Sequence, residues 1–227
     1  MKRLLSISLI VLILSTAFSL NAQSKKVTQK KKAQISLDSL VFKKLTNRFE
    51  VGYNNPSQYG TNFSTTYFNG IKVGLTTECP IMNNLSLLSG VLYNFVYSDK
   101  LQVYASSTYV YYSTSGHFID IPLQLAYTYP VSNTLKFSGF AGPVLNIGIS
   151  QKKSTFSTVP GISTVFNDLS YTSDLNRLDL QLGLGLGVQW KQYQLKGGYD
   201  FGLLNINRLT TGNMYQRGWY ISLSVTL

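Results

Sequence analysis

The sequence predicts an all-β fold: an eight-stranded antiparallel up-and-down transmembrane β-barrel. Three observations lead there. Apolar residues recur at every second position over eight runs, which is strand periodicity. The links between runs alternate strictly between tight and long. In each well-patterned run one face is large and apolar, while the other is glycine, hydroxyl, amide or charge.

The chain opens with Met1-Lys2-Arg3, an apolar run from Leu4 to Leu14 and a small-residue region ending at Ala22. Positive charge, an apolar stretch of about a dozen residues and a small residue at the end define a secretory signal peptide, here 1–22. A spanning helix needs roughly 20 apolar residues, so this segment is read as a leader and not as an anchor. Residues 23–45 form a basic periplasmic extension. Positions 24–44 hold seven lysines against one aspartate, whereas the body from residue 45 onward carries only +3 of the chain's +11. A solvated linker and a contact for anionic lipid headgroups or cell-wall polymer are the two readings of this extension. It has no interleaved aromatics to stack bases, and nucleic acid is not an expected partner.

The barrel is assigned to 46–227. Its runs are roughly Arg48–Asn54, Phe68–Cys79, Leu85–Tyr97, His117–Tyr129, Leu135–Ser150, Arg177–Trp190, Tyr193–Leu204 and Arg217–Leu227. No helical pattern interrupts them, which excludes βαβ units and a parallel sheet. The links 80–84, 130–133 and 191–192 are tight. The links 55–67, 98–116, 151–176 and 205–216 are long and rich in Ser, Thr, Tyr and Asn. In a meander this places all tight turns at one end, the asymmetry of outer-membrane barrels. Pro122 and Pro143 each remove a ladder donor, so bulges are expected there.

The segment "RLDLQLGLGLGVQW" (177–190) shows which face is which. Leu178, Leu180, Leu182, Leu184, Leu186, Val188 and Trp190 share one face; Asp179, Gln181, Gly183, Gly185, Gly187 and Gln189 share the other. A soluble barrel would turn the leucines inward and coat its outside with charge. Here the polar face is mostly glycine and hydroxyl, with few charges of mixed sign: Glu50, Lys72, Glu78, Asp120, Lys136, Asp179, Lys196 and Asp200. That set suits a narrow lumen, because eight strands leave room only for side chains. It is expected to be a structural network inside the barrel. The apolar faces end in aromatics, with Tyr127, Tyr129, Trp190 and Tyr193 at the tight-turn end and Tyr199, Phe201 and Trp219 at the long-loop end. These are expected to form interfacial girdles.

The pieces "FIDIPLQLAY" (118–127), "GFAGPVLNIGIS" (139–150), "LDLQLGLGLGVQW" (178–190) and "YDFGLLNIN" (199–207) resemble the Bacteroidetes-type outer-membrane β-barrel family, often called PorT-like. The resemblance implies an integral outer-membrane protein, folded by the barrel-assembly machinery and surrounded by outer-membrane lipid. Some members support secretion, so a role accessory to secretion or envelope function is implied for the family. The motifs mark the architecture and not one activity.

No catalytic, cofactor or metal residues are assigned. Cys79 has no local Cys or His partner. "LGLGLG" precedes no helix and so offers no phosphate site. The reading is a non-enzymatic structural or interaction protein with a periplasmic or surface protein partner. The Tyr- and Ser-rich stretch 103–116 either binds protein or glycan or extends its hairpin above the membrane. One alternative is a lipid-modifying barrel enzyme built on His117 with Ser113 or Ser115. Strand alternation puts His117 outward and Asp120 inward, against it. The other alternative is an exported soluble lipocalin-like barrel with an apolar ligand.

Overall fold

The computed structural model describes residues 45–61, 63–104, 108–157, 165–169, 175–209 and 212–227. The expected signal peptide (1–22) and all of the expected extension except Leu45 lie outside these residues. The strands are β1 (Thr46–Gly60), β2 (Phe63–Tyr67), β3 (Asn69–Pro80), β4 (Leu85–Tyr104), β5 (Thr108–Pro130), β6 (Leu135–Ser157), β7 (Val165–Leu169), β8 (Leu178–Trp190), β9 (Tyr193–Gly202) and β10 (Met214–Thr226).

Eight of them form a ring in the order β1-β3-β4-β5-β6-β8-β9-β10, all neighbours antiparallel, and β10 pairs back onto β1 from Arg48↔Thr226 to Gly60↔Met214. Closure leaves no open edge around the ring, which a sheet surrounded by hydrocarbon requires. The two short strands stand outside the ring: β2 pairs with the end of β1 and β7 with the end of β6. Pattern reading missed both of them and ended several strands too early. The links 55–67 and 98–116 are largely strand, because Ser, Thr and Tyr pair well in a ladder even where no apolar face is buried.

The face assignment in β8 is visible in its exposure. Leu186 is 73% exposed, whereas Asp179 and Gln181 are 3% and 4% exposed. Leu75, Leu123, Leu125, Leu195 and Leu223 are likewise exposed on the outer wall. The barrel is therefore apolar outside and mostly polar inside, the reverse of a soluble lipocalin-like barrel.

The lumen is not lined by small and polar groups alone. Leu92, Val96, Phe118, Phe140 and Val144 also point inward and are buried. The glycines of β8 make their room. A Cβ on Gly183 would stand 2.5 Å from Gln124 Nε2, one on Gly185 2.5 Å from Phe140 Cζ, and one on Gly187 2.6 Å from Ser138 Oγ.

The bulge expectation is corrected. At Pro122 and Pro143 the ladders miss pairs but keep their register. The missing N–H leaves a local gap that the flanking pairs span. The register shift lies instead at His117/Phe118, which pair with Ser150 and Gly148 and leave Ile149 as the extra residue.

Candidate functional site

The lumen holds its charges in tiers. Nearest the tight turns, Arg48 Nη1 meets Glu78 Oε2 at 2.7 Å, Ser86 Oγ donates to Glu78 Oε1 at 2.8 Å, and Arg48 Nη2 donates to Gln189 Oε1 at 3.4 Å. Above it, Lys196 Nζ lies 2.6 Å from Glu50 Oε2, which also accepts from Thr76 Oγ1 at 3.3 Å. Higher still, Lys72 Nζ bridges Asp120 Oδ2 at 3.0 Å and Asp200 Oδ2 at 3.4 Å, and sits 4.9 Å from the Tyr220 ring centre. Asp120 also accepts from Asn94 and Asn146, and Asn94 in turn accepts from Asn54 Nδ2 at 3.1 Å. Asp179 accepts from Gln181 Nε2 at 2.8 Å.

Seven of the eight expected lumen residues make such contacts, in four separate groups: Arg48 with Glu78, Lys196 with Glu50, Lys72 with Asp120 and Asp200, and Asp179 with Gln181. Lys136 stands apart: it lines the tight-turn mouth and makes no ion pair among the described residues. The pattern reading missed Arg48, Tyr220 and the amides Asn54, Asn94 and Asn146. Arg48 lies two positions from Glu50 on an inward face, and Tyr220 sits opposite Gly198, whose added Cβ would stand 2.6 Å from the Tyr220 hydroxyl. Only the Arg48–Glu50 spacing was available in the sequence; the Tyr220–Gly198 pairing needs the register of β9 and β10.

The two ends of the lumen differ. At the long-loop end Phe68, Val96, Phe118 and Leu175 pack into a buried apolar cluster, with Met214 against it. Leu175 bridges to Asn207, and Asn176 N donates to Ile206 O, so the link before β8 meets the link after β9 there. At the tight-turn end a cavity of about 520 Å³ is bounded by the turn residues and by Arg48, Lys136 and Gln189. Between the ends lie a cavity of about 40 Å³ and one of about 10 Å³, both bordered by Lys72, Asp120, Asp200 and Tyr220. Among the described residues the Lys72 tier therefore leaves small spaces between the two ends.

Outside the barrel, the sheet rises unevenly. β5 and β6 run 23 residues each and β4 runs 20, against 10 for β9. β3 leaves β4 at Asn69↔Tyr97, and β8 joins β6 only up to Ile147↔Leu178. Beyond those pairs β4, β5, β6 and β7 form a free-standing sheet. On it Tyr97 and Tyr111 bring their hydroxyls to 3.3 Å. Asp99 is held below the ordinary carboxylate range: slight burial opposes this, but hydrogen bonds from Tyr111, Tyr97 and Ser113 outweigh it. The same hydrogen bonds to Asp99 and Tyr97 push the Tyr111 phenol up. Lys153 sits 5.1 Å from the Tyr112 ring centre.

His117 faces outward. Its Nδ1 shares a hydrogen bond of 2.5 Å with the Tyr93 hydroxyl, and its ring lies 5.1 Å from Phe95. Asp120, the nearby acid, is inside the barrel on Lys72 and does not orient His117. Among the described residues no cluster of three or more His, Cys, Asp or Glu is placed to hold a metal ion. Tyr127, Tyr129, Trp190 and Tyr193 stand exposed on the outer wall at the tight-turn end, and Phe201 and Trp219 at the other, with Tyr199 half-buried against Phe201 at a ring distance of 4.4 Å.

The comparison with curated proteins finds no match. Among solved structures the chain is similar to the attachment invasion locus protein Ail of Yersinia pestis, at 10% identity and a TM-score of 0.41, over 80% of this chain and 98% of that one. It is similar to Neisserial surface protein A at 12% identity and a TM-score of 0.41, over 82% and 100%. It is also similar to the N-terminal β-barrel domain of Pseudomonas aeruginosa OprF, at 10% identity and a TM-score of 0.30, over 78% and 97%. The family model described as "Outer membrane protein beta-barrel domain" matches residues 21–208. A closed ring with an apolar outer wall and an ion-paired interior is what such a domain requires, and the chain belongs to this outer-membrane β-barrel family.

Proposed function

We propose that the chain is a non-enzymatic outer-membrane barrel that docks a protein partner on its projecting sheet. The observation that carries this reading is the sheet β4-β5-β6-β7. It rises beyond the apolar cap, and β4 from Ser98 onward pairs only with β5. An unpaired strand edge offers backbone donors and acceptors to an extended peptide. The neighbouring faces carry tyrosine, serine and threonine, which give contact area at low entropic cost. The asymmetry of such barrels puts the tight turns in the periplasm and this sheet at the cell surface. A cleaved leader over 1–22, insertion by the barrel-assembly machinery and membership of the PorT-like branch belong to the same proposal. They rest on the sequence patterns given above.

The test is a photo-reactive residue at Lys100 or Tyr112 of the hairpin and, as control, at Leu184 on the lipid wall. Protein adducts on intact cells from the hairpin positions, with none from Leu184, are expected. Equal labelling, or none at the hairpin, removes the docking reading. Lipid A altered on deletion of the protein would favour the enzyme instead.

A further inference from the structure

We infer that the periplasmic mouth is a binding site for the end of a short acidic peptide. The site is built from the vestibule of about 520 Å³, a volume typical of small-ligand sites. It is blind. Its floor is the Arg48–Glu78 pair, and beyond that floor the Lys72 tier and the apolar cap close the lumen. A ligand that enters from the periplasm stops at Arg48.

The electrostatics select the sign. Among the described residues Glu78 is the sole acid lining the vestibule, and it is already neutralised by Arg48 and bonded to Ser86. Lys136 and Lys191 line the wall with no carboxylate partner among the described residues. Arg48 is 4% exposed, and its Nε donor has no acceptor. The vestibule therefore carries two cations without a carboxylate among the described residues, half-buried Lys136 and exposed Lys191, which lies over the Trp190 ring, beside a buried arginine with hydrogen-bonding capacity left over. An isolated charge in such a place is costly unless an opposite charge joins it.

The lining also selects the class of anion. The remaining polar groups are amides and hydroxyls, among them Asn83, Gln192, Thr128 and Thr226, which suit peptide groups. No lining side chain is aromatic, so a nucleotide base has nothing to stack on. The vestibule is lined by turn residues and by inward-facing groups such as Arg48 and Gln189, which turns its polar lining away from the lipid-facing wall.

The experiment uses the full mature chain in lipid nanodiscs and fluorescence anisotropy with a labelled tetraglutamate peptide. Saturable binding is expected, weaker at high salt. Lys136→Glu should weaken it by at least about tenfold, the effect of one lost charge-assisted contact. Lys136→Arg should retain it. All variants should keep the heat-dependent gel shift of a folded barrel, and a variant that loses it is replaced by Lys136→Gln. Binding that is unchanged in Lys136→Glu would place the anion on the lysine-rich segment 24–44 and overturn the inference. Competition by inorganic phosphate as strong as by unlabelled peptide would make the site a simple anion site and overturn the peptide assignment. Equal binding of tetralysine, or no binding at all, would also refute it.

Discussion

The wall made by β4, β5 and β6 and the wall made by β8 and β9 are built from the same periodicity but opposite bulk. The first is long and sends Leu92, Phe118, Phe140 and Val144 into the lumen. The second is short and sends Gly183, Gly185, Gly187 and Gly198. Each would be a poor wall alone: the first would overfill a narrow barrel, and the second would leave it hollow. Joined along the β6–β8 pairing, they fill it, as close packing demands. The glycines of "LGLGLG" are therefore the complement of aromatic and amide groups that arrive from strands about 40–60 residues earlier in the chain. The lesson is that the lumen face of a small barrel is specified between neighbouring strands and not along any one of them.

Lys72 is where the comparison breaks most severely. It stands on β3 and holds Asp120 of the thick wall and Asp200 of the thin wall at once. Lys72→Met should cost about 3–5 kcal/mol, because it leaves two buried carboxylates without a cation. Urea unfolding in a bilayer or detergent, followed by the fluorescence of Trp190 and Trp219, measures this. Lys72→Met combined with Asp120→Asn should recover part of the loss. A cost below about 1 kcal/mol would mean that the tier is solvated and does not tie the walls together.

The packing between the walls should show a smaller effect. In Gly185→Ala the new methyl would approach Phe140 Cζ to 2.5 Å and would also crowd the Gly197 carbonyl. Overpacking of this kind costs about 1–3 kcal/mol. Phe140→Leu should relieve part of it and not all, since the Gly197 backbone stays in place. The double-mutant cycle reads the coupling directly. Additive effects of the two changes would show that Gly185 and Phe140 do not share one space.

Much of this was legible in the sequence, for a physical reason. Strand alternation is local, so β8, β9 and β10 declare which face is apolar within a dozen residues, and the tight turns declare the meander. The thin wall was easiest to read because glycine against leucine is the sharpest contrast available. The thick wall was harder: in β4 both faces carry leucine or valine, as at Val91 and Leu92, and alternation loses its contrast. Contacts across the lumen left no local mark. Nothing within ten residues of Lys72 announces Asp120 or Asp200. Arg48 and Lys136 look alike in the sequence, and only the pairing of β1 with β3 puts one on Glu78, while the other makes no ion pair among the described residues. The extensions of β4, β5 and β6 were read in part as links, since hydroxyl-rich strand and hydroxyl-rich loop share a composition.

The smallest effect belongs to the part of the thick wall that leaves the thin one behind. Above Tyr97 the sheet has no opposing wall, and its order rests on surface contacts such as Asp99 with Tyr111, Tyr97 and Ser113. Asp99 has its carboxyl pKa lowered in the folded hairpin. Its contribution is therefore complete above the ordinary carboxylate value of about 3.9 and is lost as pH falls through the lower folded value. Tyr111 has its phenol pKa raised. Its contribution is complete below about pH 10 and is lost as pH rises through the higher folded value. Amide protection of β4 and β5 beyond Tyr97 should then be flat across the middle of the pH range and fall at both extremes, while the barrel's heat-dependent gel shift stays unchanged. Asp99→Asn should remove the acidic fall and leave protection near neutral pH only slightly lower, because both groups are exposed and screened. If the acidic fall persists in Asp99→Asn, another group orders the hairpin. If the barrel shift moves with it, the projecting sheet and the lumen are one cooperative unit, and the two walls do not differ in the way described.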